Sequence, residues 1–157
     1  MGKVVGLYVS PRIGEPMQPQ TAVRALAGKG LEGDRYATGQ GSYSRIARQV
    51  ARHVSLIGRE AIEAANEELI WRGLAPFKPE ETRRNIIIEG YDIYALLGQE
   101  FRIGDIRLRG SDPTRPCQIP SAAAGKIGFA EAFQNRGGVR AEILTDGIIA
   151  IGDVLIA

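Results

Sequence analysis

The chain contains one cysteine, Cys117, and one histidine, His53, and each scarcity closes off a class of chemistry. A lone thiol forms no intramolecular disulfide, so the fold has to be held by its core. Structural zinc takes four protein ligands and catalytic zinc usually three, more than one cysteine and one histidine supply. His53 is accordingly read as structural. Charge of one sign is also lacking: 20 Lys and Arg against 18 Asp and Glu leave a formal net charge of +2. Nucleic-acid binders usually carry a strong basic excess, so no nucleic-acid partner is expected. Long hydrophobic runs are missing too. The stretch 148–157 is interrupted by Gly152 and Asp153, well short of the ~20 apolar residues that span a bilayer. Met1 to Ser10 show no charged segment leading into a long apolar core, as a secretory leader would. A soluble protein in the reducing cytoplasm, with no membrane partner, is the expectation.

What the chain has in quantity is glycine, 20 residues, with 8 prolines in a sequence that is 44% hydrophobic. Many turns between short apolar strands follow, because a disordered low-complexity chain would hold fewer apolar residues. A length of 157 residues fits one domain, since domains commonly run ~100 to 200 residues. The expectation is a single domain over 1–157, mainly β with peripheral helices.

Local patterns place the elements. Val4 to Val9 read as a buried strand ended by Ser10-Pro-Arg-Ile-Gly-Glu-Pro. Thr21 to Ala27 suit either helix or strand, with strand favoured. Gly28 to Tyr36 hold three glycines within six residues, which is either an ordinary turn or a loop approaching something closely. Arg45, Arg48 and Arg52 recur at helical spacing as one basic face, either solvated or meeting an anion. Val54 to Ile57 form a strand, and Arg59 to Arg72 a helix with Ile62, Ala65 and Leu69 on one face and Gly73 beyond its end. Ile86 to Gly90 are a β-branched strand. Asp92 caps a helical turn reaching Leu97, and Gly104-Asp105 joins two alternating runs as a hairpin. Residues 121–133 are helical in part, with Ile127, Ala130 and Phe133 spaced for one face and Gly125 and Gly128 weakening it. Three short apolar runs within 139–156, separated by Asp146-Gly147 and Gly152-Asp153, predict a closing β-meander. No internal repeat is present.

The chemistry has to be argued around Cys117, in Arg107-Leu-Arg-Gly-Ser-Asp-Pro-Thr-Arg-Pro-Cys117-Gln-Ile-Pro120. The alternating run before it places the thiol on a loop leaving a sheet. Pro116 and Pro120 stiffen that loop on both sides. A thiolate is the nucleophile and the metal ligand, and Arg107, Arg109 and Arg115 are the nearby cations that would favour it. The alternative is a small buried hydrophobe, a common fate of free cysteine. Arg83-Arg84-Asn85 at the mouth of a strand are polar hooks, serving either as a rim ion pair or as a fork for an oxyanion.

Together, Gly30-Leu-Glu-Gly-Asp-Arg35, Val54-Ser-Leu-Ile57, Arg84-Asn85, Leu97-Gly-Gln-Glu-Phe-Arg-Ile-Gly104, Arg115-Pro-Cys117 and Ile151-Gly-Asp153 resemble the MOSC family, the domain named for the C-termini of molybdenum cofactor sulfurases. The likeness runs over about 31–157 and suggests a small, stand-alone member of bacterial type. Its specificity lies in the order and spacing of the pieces. Tyr36 stands where many members show histidine, which removes that position as a ligand or base. The resemblance implies a β-barrel with peripheral helices whose Cys loop opens onto a pocket for the molybdenum cofactor (molybdopterin) or carries sulfur. A pterin dithiolene already gives the metal soft ligands, so one protein thiolate, Cys117, suffices. Arg35, Arg84, Asn85 and Arg115 are the expected partners of the cofactor phosphate.

Three functions remain open at this level. Cys117 would hold molybdenum in a reductase of N-hydroxylated substrates, served by an electron-donor protein. Alternatively, Cys117 would carry a persulfide received from a cysteine desulfurase, with pyridoxal phosphate residing in that partner. The third is a non-catalytic barrel. Oligomeric state and substrate identity are not encoded in any pattern found.

Overall fold

The computed structural model describes residues 1–39 and 53–157; the basic face expected of Arg45, Arg48 and Arg52 lies outside them. Eleven strands occur among the described residues. They are β1 (Gly2–Val9), β2 (Gln18–Pro19), β3 (Ala22–Leu26), β4 (Gly30–Leu31), β5 (Val54–Gly58), β6 (Ile86–Glu89), β7 (Glu100–Ile103), β8 (Ile106–Pro113), β9 (Val139–Ile143), β10 (Gly147–Ala150) and β11 (Val154–Ile156). Hydrogen bonding runs β11-β7-β8-β9-β5-β6-β1, and β1 pairs back onto β11, closing a seven-stranded barrel. The expected fold class therefore holds. β2 extends β1, while β10, β3 and β4 form a small separate sheet.

All neighbours in the barrel are antiparallel except β5 and β6, which run parallel with Leu56 opposite Ile86. Ile86 to Ile88 in β6 are continuously apolar rather than alternating because both faces are covered. Leu56, Ile86 and Ile88 point into the barrel core with Val4, Leu7, Leu108 and Val139. Ile57 and Ile87 point outward to a second cluster with Ile62, Ala65, Leu69, Phe77, Phe129 and Phe133. There Phe129 and Phe133 stack with centroids 4.3 Å apart, and Phe77 meets Phe129 edge-on at 5.2 Å. Offset and edge-on pairs of this kind are the favoured aromatic geometries.

The covering helix α1 (Arg59–Trp71) begins with Glu60 in its first turn, where the positive helix end favours an acid. It stops at Gly73, whose φ of 76° is open to glycine at little cost. Asp92 caps the 3-10 turn Ile93–Leu96 by accepting from the Tyr94 N–H at 3.1 Å. Gly104-Asp105 joins β7 to β8 in register Ile103 to Ile106, as the alternating runs predict. No helix among the described residues is long and apolar enough to cross a membrane.

Two expectations need correction. The segment after Cys117 forms two short helices, α2 (Ile119–Ala124) and α3 (Phe129–Ala132), and Ile127 between them is 69% exposed. Gly125 and Gly128 adopt φ of 66° and 93°, which breaks the one-face pattern assumed for Ile127, Ala130 and Phe133. The closing strands exist, but they are not a meander. β9 lies between β8 and β5, β10 pairs with β3, and β11 bridges β7 and β1. Each finds its partner far away in sequence, which turn signals alone do not specify.

Candidate functional site

At the end of β1 the glycine loop folds back on its own chain. A Cβ on Gly30 would stand 2.9 Å from the His53 carbonyl oxygen and 3.0 Å from the Ala37 nitrogen, so the close approach is to backbone. Asp34, fully buried, organises the rest of the loop. Its Oδ1 accepts from the Ser10 N–H at 3.0 Å and from Arg35 Nη1 at 3.3 Å, and its Oδ2 accepts from the Tyr36 N–H at 3.3 Å. The Arg35 N–H donates to the Ser10 carbonyl at 2.7 Å, so Arg35 and Tyr36 are held against the end of β1.

On the facing side, the 3-10 turn Pro79–Thr82 ends at Arg83, which adopts a left-handed φ of 62° despite having a side chain. A non-glycine residue in that region costs free energy and re-aims the chain. Arg83 Nη1 donates to the Glu15 carbonyl at 2.8 Å, and Arg84 Nε donates to the Gly137 carbonyl at 2.7 Å. Main-chain carbonyls satisfy these guanidinium donors without cancelling their charge. Burial, followed by the neighbouring Arg35 charge, pulls Arg83 below its ordinary pKa, with Asp34 and Tyr36 acting the other way. It remains a cation, since arginine does not lose its proton in proteins.

Asn85 turns inward. Its Oδ1 accepts from the Ser55 N–H at 3.0 Å and from the Ser55 hydroxyl at 3.2 Å, while its Nδ2 donates to the Tyr8 carbonyl at 3.1 Å. These bonds tie β1 and β5 together at the start of β6. The side chain is not among those lining the pocket.

Cys117 lies between β8 and α2 and is half-buried. Its segment is anchored by Thr114, whose N–H donates to the Gly138 carbonyl at 2.9 Å and whose hydroxyl donates to the Gly137 carbonyl. The Gly137 oxygen thus receives both Thr114 and Arg84, linking the cysteine loop to the arginine turn. Cys117 lines a small pocket that opens to solvent. Arg35, Arg83, Arg84 and Arg140 line the same pocket, each less than a tenth exposed. Ile13, Ile119 and Pro120 supply apolar lining, and none of the described lining residues is an acid.

Of the residues singled out from sequence, Arg35, Arg84 and Cys117 are brought together here. Arg115 is exposed and does not line the pocket. Arg107 and Arg109, read as cationic neighbours of the thiol, project from the outer face of β8, where Glu100 pairs with them at 2.6 and 3.6 Å. Strand alternation explains the correction: Leu108 points inward, so its neighbours point out. Arg140 and Ser55 were missed, and Arg83 was noted only as a hook. The signal for Arg140 was an arginine inside an apolar run directly after Gly137-Gly138. His53 Nδ1 accepts from the Ile143 N–H at 2.9 Å, which requires the unprotonated nitrogen, and burial lowers its pKa against the opposing pull of Glu142.

Among solved structures, the fold matches the YuaD protein from Bacillus subtilis at 16% identity, over 99% of this chain and 94% of that one, with a TM-score of 0.77. YiiM from Geobacillus stearothermophilus matches at 15% identity over 99% of this chain and 74% of that one, TM-score 0.69. YiiM from Escherichia coli matches at 18% identity over 98% and 68%, TM-score 0.66. At such identities the likeness is one of fold. No curated protein sequence matches significantly. A comparison with protein-family profiles matches the MOSC domain over residues 34–156, which takes in β5 through β11 and all four pocket arginines. The chain belongs to the MOSC domain family.

Proposed function

We propose that the pocket holds an anionic cofactor of the molybdopterin kind, with Cys117 as the protein thiolate on its metal. The observation that carries this reading is the convergence of four buried arginines and the only cysteine on one pocket. No group of three or more His, Cys, Asp or Glu among the described residues could hold a bare metal ion. A metal that arrives with soft sulfur ligands of its own needs one further thiolate, and Cys117 offers it. The residues present fit the group.

When bound, the cofactor would supply two-electron redox chemistry, such as removal of oxygen from an N-hydroxylated substrate. Arg84 and Arg35 bind its phosphate through charge-assisted hydrogen bonds, which are roughly twice as strong as neutral ones. Arg83 and Arg140 add positive potential from positions where water screens little. The anchoring of Thr114, together with Pro116 and Pro120, holds the Cys117 sulfur in place, and Ile13 and Ile119 limit water at the mouth. The half-buried position of Cys117 also suits a second reading. There the Cys117 thiolate would take the outer sulfur from the cysteine persulfide of a separate desulfurase, whose own thiolate leaves, and the same arginines would hold the resulting anionic persulfide.

Metal analysis of protein isolated from molybdate-fed cells tests both readings. Wild-type protein is expected to carry molybdenum and Cys117→Ser to lose it while keeping its fold, since a hydroxyl is a poor ligand for a soft metal. An added sulfur atom on Cys117 by intact mass, without molybdenum, would replace the first reading with the second. Finding neither would sink both.

A further inference from the structure

Tyr36 lines the pocket wall beside two of its arginines. The guanidinium carbons of Arg35 and Arg140 each lie 5.1 Å from the centre of its ring. Both arginines are buried, at 6% and 7% exposure, so water does little to screen their mutual repulsion. An aromatic face attracts a guanidinium through its quadrupole, and the attraction grows when the cation is desolvated. The ring itself is fixed from the backbone, because Asp34 Oδ2 accepts the Tyr36 N–H at 3.3 Å. Its hydroxyl makes no hydrogen bond among the described residues, so the ring face is the part in use.

We propose that Tyr36 is a positioning residue whose ring holds Arg35 and Arg140 together on the pocket wall as one preformed fork for a phosphate-type oxyanion. The inference rests on the reading of the pocket as an anion site. Two like charges arranged before the ligand arrives cost nothing further to assemble on binding, and that preorganisation appears as affinity. Without the ring the two side chains separate, and an entering anion has to gather them. Asp34 is the acid in contact with Arg35, at 3.3 Å.

The test is titration of the full chain with inorganic phosphate at constant ionic strength, followed by calorimetry, for wild type, Tyr36→Phe and Tyr36→Leu. Phenylalanine keeps the ring and is expected to bind within about twofold of wild type, while leucine binds about tenfold more weakly with its melting temperature little changed. If leucine does not fold, Tyr36→Met takes its place in the same comparison. Equal affinity in the ringless variant overturns the proposal. So does equal weakening in the phenylalanine variant, which would move the effect to the hydroxyl. Wild-type protein that takes up molybdenum but binds no phosphate overturns the fork while leaving the cofactor reading standing. Absence of both removes the cofactor reading and the fork with it.

Discussion

A buried polar side chain has either a ligand to bind or a backbone to hold, and Arg84 and Asn85 divide those roles although they are adjacent in sequence. Arg84 satisfies Nε on a carbonyl and still lines the pocket, whereas the Asn85 amide is taken up by Ser55 and Tyr8. Asn85→Ala would leave buried donors and an acceptor unmet, at ~1–3 kcal/mol for each unsatisfied group. Urea unfolding is expected to show a loss of about 2–4 kcal/mol, with any change in ligand binding following the fold. Full stability with lost cofactor would instead return Asn85 to the binding set. Asn85 was taken as a cofactor partner from the family-like Arg84-Asn85 motif at a strand mouth, but consecutive residues entering a strand point opposite ways, and its side chain lies outside the pocket lining.

At the level of elements, the glycines separate into those that end a segment and those that admit another. Gly73 follows α1 with φ of 76° and open space around it. Gly138, with φ of 97°, sits where β9 meets β5, and a Cβ there would fall 2.0 Å from the Leu56 carbonyl oxygen. Gly73→Ala is therefore expected to cost roughly 1–2 kcal/mol, the price of a left-handed residue. Gly138→Ala adds a clash with a backbone atom that cannot swing away, for a loss on the order of 4 kcal/mol or more. Thermal unfolding of the two variants checks the contrast, and similar midpoints would disprove it. The contact with Leu56 lies about 80 residues back along the chain and leaves no local trace.

Closure is a property of the whole molecule. β11 pairs with β1 on one side and β7 on the other, so three residues near the C-terminal end complete the ring. Removing 154–157 would open the barrel, expose two strand edges and uncover the core around Leu155, which is fully buried. Size-exclusion chromatography and circular dichroism are expected to show an aggregated or non-cooperative chain, and a monomer unfolding as wild type would refute this role for β11. The sequence by itself determined the elements that depend on neighbouring residues: the strand at Val4 to Val9, the helix beginning at Arg59, the Asp92 cap and the hairpin at Gly104-Asp105. Its ordered short motifs also pointed to the family and its barrel. Only the tertiary structure decided which strands pair, which is why three closing runs that look like a meander are two separated staves of the barrel and one strand of the small sheet. It also decided which arginines surround the thiol. Arg109 is eight residues from Cys117 and faces away, whereas Arg35 and Arg84 reach the same pocket from distant segments. Periodicity and turn chemistry act over a few residues, but burial of a charged group depends on partners that meet only when the barrel closes.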